Sequence, residues 1–178
     1  MFKAFQASSP AVEVDGRTVV AVSSGILVGA VARELLASAG LEHVEPDAWY
    51  SQQSWLNAYR AIHDNLGPDT LYSIGRRIPY SAEFPDDQMF DVPSALAAID
   101  VAYHTAHRGG EIGVYRYVEV GMDHFQIQCD NPYPNVFDLG IIESLVERYR
   151  GRLQFEVNLN RGTNHSDDNA CTIEITRA

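Results

Sequence analysis

A chain of 178 residues with 46% hydrophobic and 21% charged residues has the composition of one ordinary globular domain, which excludes wholesale disorder. Thirteen Lys and Arg against 24 Asp and Glu leave a formal charge of -11. That balance repels phosphate backbones and anionic headgroups, so nucleic acid and membrane surfaces are not the expected partners. No run approaches the roughly 18 apolar residues needed to span a bilayer. Met1 to Gln6 lacks a charged region followed by a long apolar one, so a cytoplasmic location without signal peptide is expected.

In chain order, Val12 to Val20 reads as a short hairpin turning at Asp15-Gly16, a pair that tolerates a primed turn. Ile26, Leu27, Ala30, Val31, Glu34 and Leu35 then follow helical spacing up to Gly40. Pro46 is placed for the first turn of a second helix, continued by Trp55, Leu56, Tyr59, Ile62 and Leu66. Gly67-Pro68 ends it and opens a shorter helix through Leu71, Ile74 and Gly75. Pro79 to Phe90 is a loop; Asp91 then reads as an N-cap, with Pro93 just inside a helix carrying Leu96, Ile99, Tyr103 and Ala106 on one face.

The last 70 or so residues change period. Tyr115, Tyr117 and Glu119 alternate with Val114, Arg116, Val118 and Val120, and Gly121-Met122-Asp123 makes a turn. Phe125, Ile127 and Cys129 form the apolar side of a second strand. A helix through Phe137, Ile141, Ile142, Leu145, Val146 and Tyr149 follows Asn131-Pro132-Tyr133-Pro134. Leu153, Phe155, Val157 and Leu159, then Cys171, Ile173 and Ile175, mark two more strands. Such alternation predicts an antiparallel sheet with one wet face. The expected class is therefore α+β: an N-terminal helical layer packed on a four-stranded antiparallel sheet of β-β-α-β-β order, as a single domain over 1–178. Phe125, Ile127, Phe155, Val157, Ile173 and Ile175 should face the helices.

Several short motifs resemble bacterial proteins related to the heme-NO-binding and 4-vinyl-reductase-type ligand-binding domains. They are Leu66-Gly67-Pro68, Ile74-Gly75-Arg76-Arg77-Ile78, Ile99-Asp100-Val101-Ala102-Tyr103, Arg108-Gly109-Gly110-Glu111-Ile112-Gly113 and Asn131 to Gly140. The resemblance spans residues 45–178, with 1–44 placed only loosely. It implies a sensory domain holding a small hydrophobic ligand, with heme or another tetrapyrrole among the candidates. Cysteines that some relatives carry fall here at Asn135 and near Thr163, leaving Cys171. The Tyr-x-Ser-x-Arg triplet of the heme-NO-binding branch is absent, and Tyr115-Arg116-Tyr117 does not replace it.

Candidate chemistry divides three ways. Aromatic residues suit a pocket for a flat ligand, and Trp55, Tyr59, Tyr103, Tyr115 and Tyr117, with His104 and His107, are the candidate ligand-binding residues. The pocket is expected between the helix around Leu96–His107, the helix around Trp49–Leu66 and the inner sheet face near Tyr115 and Tyr117. His104 and His107, three apart on one helix, would share a face, as metal or heme ligands or as charges favouring the helix C-terminus. Cys129 and Cys171, with His165 and Asp167 or Asp168, are weak candidates for a metal; the favoured expectation is a pair of buried unpaired thiols that hold no structural zinc. No nucleophile elbow, phosphate loop or dinucleotide fingerprint is present, so catalysis is not expected. The ranked readings are a sensory ligand-binding module, an interaction protein with a filled core that docks as a homodimer or on a signalling partner, and a small metal-dependent enzyme.

Overall fold

The period-two alternation of the C-terminal region builds a sheet with one dry face. In the computed structural model, which describes residues 1–25, 29–161 and 169–178, four long strands run β4 (Val114–Gly121), β5 (His124–Asp130), β6 (Phe155–Arg161) and β7 (Cys171–Arg177). They pair antiparallel in the order β4-β5-β7-β6, so two hairpins meet along β5 and β7. Phe125, Ile127, Ile173 and Ile175 are buried on the dry face, and Phe155 and Val157 on edge strand β6 are half-buried. On the wet face Arg116, Gln128, Thr172 and Asn160 stand in one cross-strand row. Helix α6 (Asn135–Tyr149) returns over the dry face and seals Ile142 and Leu145 from solvent.

The rest of the helical layer comprises α1 (Gly16–Gly25), α2 (Gly29–Ser38), α3 (Gln52–Leu66), α4 (Pro68–Gly75) and α5 (Val92–Thr105). The start of α5 follows the sequence signals closely. The Asp91 carboxylate accepts from the Ser94 N–H at 3.0 Å, the Ser94 hydroxyl accepts from the Asp91 N–H at 3.1 Å, and Pro93 lies in the first turn. α3 is capped by Ser51 rather than opened at Pro46, because Trp49–Ser51 is a strand, β2. Strand β1 (Glu13–Asp15) pairs with β2 on one side and with β3 (His107–Arg108) on the other. This small second sheet, β2-β1-β3, escapes the sequence because two- and three-residue strands are too short to show an alternation.

The hairpin expected at Asp15-Gly16 does not form; α1 begins there instead. The Asp15 carboxylate accepts from the Arg17 N–H at 2.7 Å and grips the Arg17 guanidinium, acting as a helix cap instead of a turn residue. Gly16 is needed for close approach: its N–H reaches the Ala48 carbonyl at 2.8 Å, and a Cβ would press on the Glu45 carbonyl. Ile26 and Leu27 of the expected first helix lie outside the described residues. Among those residues, no helix is long and apolar enough to cross a membrane.

Where α4 crosses α6, both helices present glycine. A Cβ on Gly75 would fall against the Phe137 carbonyl, and one on Gly140 against the Tyr72 carbonyl. Contact at backbone distance fixes how α6 lies on the sheet. Gly75→Ala or Gly140→Ala should therefore destabilise by about 1–3 kcal/mol, the usual cost of overpacking, measurable as a lower urea midpoint with unchanged slope.

Candidate functional site

Apolar faces of α3 and α5 meet the inner face of β4 and the turn before α6, and their rings leave a gap. Trp55 and Tyr59 come from α3, Tyr103 from α5, Tyr115 from β4, and Tyr133 and Phe137 from the turn and first part of α6. The cavity between them measures about 50 Å³, with half-buried Thr18, Ala82 and Phe84 at its rim. Trp55 and Tyr59 pack with ring centroids 4.7 Å apart, and Tyr103 meets Tyr115 edge-on at 5.0 Å. These offset and edge geometries are the favoured ones for aromatic quadrupoles.

Most polar tips around the cavity are tied. The Tyr103 hydroxyl donates to the Ile112 carbonyl, and the Tyr115 hydroxyl donates to the Asp138 carboxyl. Asn131 donates to the other Asp138 oxygen at 3.2 Å. Burial pushes Asp138 up to about 7, against the lowering effect of those two donors. His107 Nδ1 faces the Tyr103 carbonyl at 2.8 Å, and a carbonyl can only accept, so the ring proton sits on Nδ1. Nε2 then accepts from the Tyr133 hydroxyl at 2.7 Å. Burial pulls His107 down to about 4, so the imidazole is neutral. Burial likewise drives the Tyr59, Tyr103 and Tyr115 phenols well above their usual range.

Two polar groups beside the cavity are not tied. The Tyr59 hydroxyl is fully buried without a hydrogen-bond partner, and the same holds for both amide atoms of Gln52. Trp55 leans toward the Tyr59 hydroxyl, and Gln52 toward Tyr103 and Tyr133, without closing hydrogen bonds. Such groups cost about 1–3 kcal/mol each when left dry.

The structure thus gathers Trp55, Tyr59, Tyr103, His107 and Tyr115 around one cavity and leaves two candidates outside it. His104 and His107 do not share a helix face, because α5 ends at Thr105 and His107 enters β3. His104 is exposed, its ring turned back on the Asp100 carbonyl at 2.9 Å. Tyr117 packs on Phe125 instead. Sequence reasoning counted Tyr133 among the pocket-suited aromatics without making it a candidate, and missed Phe137 and Gln52. Cys129 and Cys171 are buried free thiols, directly opposed across β5 and β7. His165, Asp167 and Asp168 lie outside the described residues.

No family model and no curated protein matches this chain. Solved structures do. A point mutant of an Fe(II) unliganded H-NOX protein from K. algicida superposes with a TM-score of 0.70 at 14% identity, over 92% of this chain and 96% of that one. A triple mutant of an H-NOX protein from S. oneidensis in the Fe(II) ligation state gives 0.68 at 10% identity, over 92% and 96%. A T. tengcongensis H-NOX variant gives 0.64 at 12% identity, over 90% and 94%. At these identities the likeness concerns the fold alone, an α+β heme-NO-binding-like fold.

Because His107 must take up a proton on unfolding at mildly acid pH, its contribution to stability is complete above about pH 6.5 and is lost as pH falls toward 4. The stability difference between the parent and His107→Asn should therefore shrink by about 3 kcal/mol between those limits, taking 1.36 kcal/mol per pKa unit. Denaturant titrations of both proteins across the range check this.

Proposed function

We propose that this chain, with its heme-NO-binding-like fold, is a non-catalytic sensory module that holds one small, largely apolar molecule in the cavity between α3, α5 and the inner face of the sheet. The carrying observation is the Tyr59 hydroxyl, fully buried, unpartnered and set in an otherwise apolar aromatic wall. A ligand with one polar end would satisfy that hydroxyl while its body fills the gap between Trp55, Tyr103 and Phe137. Binding would then be read out through α5, whose Ile99, Ala102 and Tyr103 line the cavity and whose C-terminal end leads into β3 and β4. Catalysis is not favoured, since His107 is neutral and committed at both nitrogens.

A tetrapyrrole does not fit these residues. About 50 Å³ falls far short of the several hundred that ring-sized ligands occupy. His104 faces away, both His107 nitrogens are engaged, and among the described residues no arginine or lysine lines the cavity to meet propionates.

The second reading, a filled-core protein that docks on a signalling partner or a second copy, draws on the small cavity and on exposed Phe90 and Tyr80, 79% and 67% accessible, at the ends of the rim loop. Tyr59→Phe separates the two. Under the ligand reading, the ligand-free variant is about 1 kcal/mol more stable than the parent, because the dry hydroxyl is gone. At least one small apolar molecule with a polar end then raises the melting temperature of the parent more than that of Tyr59→Phe. Equal shifts, or none in a broad screen, would leave the docking reading. Titration with hemin is expected to give no saturable one-to-one change in the Soret band; a tight stoichiometric complex would refute the misfit argued above.

A further inference from the structure

We propose that Cys129, Asp138 and Cys171 form a binding site for one thiophilic cation of the zinc class. The register of β5 and β7 sets Cys129 directly opposite Cys171, both pointing to the dry face and 2% and 5% exposed. Asp138, in the first turn of α6 and 0% exposed, brings a carboxyl to the same point. One ligating atom from each lies within 4.8 Å of the other two. Tetrahedral zinc, with bonds of about 2.3 Å to sulfur and 2.0–2.2 Å to oxygen, sets its ligands about 3.5–3.8 Å apart, so the three need to contract by about 1.3 Å at most.

Two further features belong to a metal site more than to plain core packing. The carboxyl is oriented by outer donors, the Tyr115 hydroxyl and the Asn131 amide, which leave its approach to the thiols fixed. Paired sulfurs select zinc, cadmium or copper(I) over magnesium and calcium. Two small hydrophobes would fill the sheet equally well without a buried carboxyl beside them. The cation supplies what makes that carboxyl worth burying. This site shares Tyr115 with the aromatic cavity, but its three ligands lie outside the cavity lining, and it stands whether or not the cavity takes a ligand.

The test uses the full chain, reduced and stripped of metal with a chelator, and cobalt(II) as probe. One equivalent of cobalt is expected to give tetrahedral d–d bands and thiolate-to-metal charge transfer, both erased by zinc. Zinc and not magnesium should raise the melting temperature. Cys129→Ser and Cys171→Ser should each remove most of the charge transfer, and Tyr115→Phe, which keeps all three ligands, should weaken zinc about 10–100-fold. His165→Ala should leave the titration unchanged. No charge transfer at excess cobalt would overturn the proposal, as would an unchanged titration in Cys129→Ser or its loss in His165→Ala. If a cysteine variant does not fold, the intensity of charge transfer in the parent still counts the thiolates, and fewer than two would overturn it.

Discussion

Burying the Asp138 carboxyl is the constraint on which the rest of the molecule is arranged. A carboxyl with no exposure must be surrounded by donors, and these come from separated parts of the chain. Tyr115 supplies one from β4, Asn131 supplies another from the end of β5, and the α6 N-terminus adds its dipole. Asn131 is itself fixed: its side-chain oxygen accepts from the Tyr133 N–H at 2.8 Å, and Asn169 donates to both the Asn131 and Tyr133 carbonyls. The Asn131-Pro132-Tyr133-Pro134 turn thereby has one geometry. That geometry aims the Tyr133 hydroxyl at His107, at the far side of the cavity.

The cavity follows from this order. Its polar tips are pinned one after another, His107 by Tyr103 and Tyr133, Tyr103 by Ile112, Tyr115 by Asp138, so rings cannot collapse inward without breaking buried hydrogen bonds. The Tyr59 hydroxyl, toward which Trp55 leans, and the Gln52 amide are left unpaired beside this pinned wall. A rigid wall with unpaired polar groups is the feature on which the proposed guest site rests. The rim is held more loosely. Glu83 pairs with Arg17 at 2.9 Å and Asp86 with Arg148 at 3.8 Å, both largely in solvent where such pairs contribute little.

The late β-β-α-β-β region was legible because long strands repeat their alternation often enough to fix the register, and Asp91, Pro93 and Gly67-Pro68 marked helix ends correctly. The aromatic wall was legible in part, since Trp55, Tyr59 and Tyr103 lie at core-facing helical positions. Asp15-Gly16 misled because the same pair serves a turn or a helix cap, and which one forms depends on Arg17 and the distant Ala48 carbonyl. His104 and His107 were separated by a helix end that no glycine or proline announces. Asp138 carried no local sign of its role, because Tyr115, Cys129 and Cys171 reach it only when the sheet is assembled.

The central claim is that the space beside Tyr59 is an apolar site awaiting a guest, and diffraction from crystals pressurised with xenon tests it most directly. Xenon reads out dry, apolar volume and is small enough to enter without displacing a ring. The account predicts a xenon atom in van der Waals contact with Trp55 and Phe137, within the ring of residues that Tyr59 and Tyr103 complete. A cavity that refuses xenon and holds ordered water bonded to the Tyr59 hydroxyl and the Gln52 amide would contradict it.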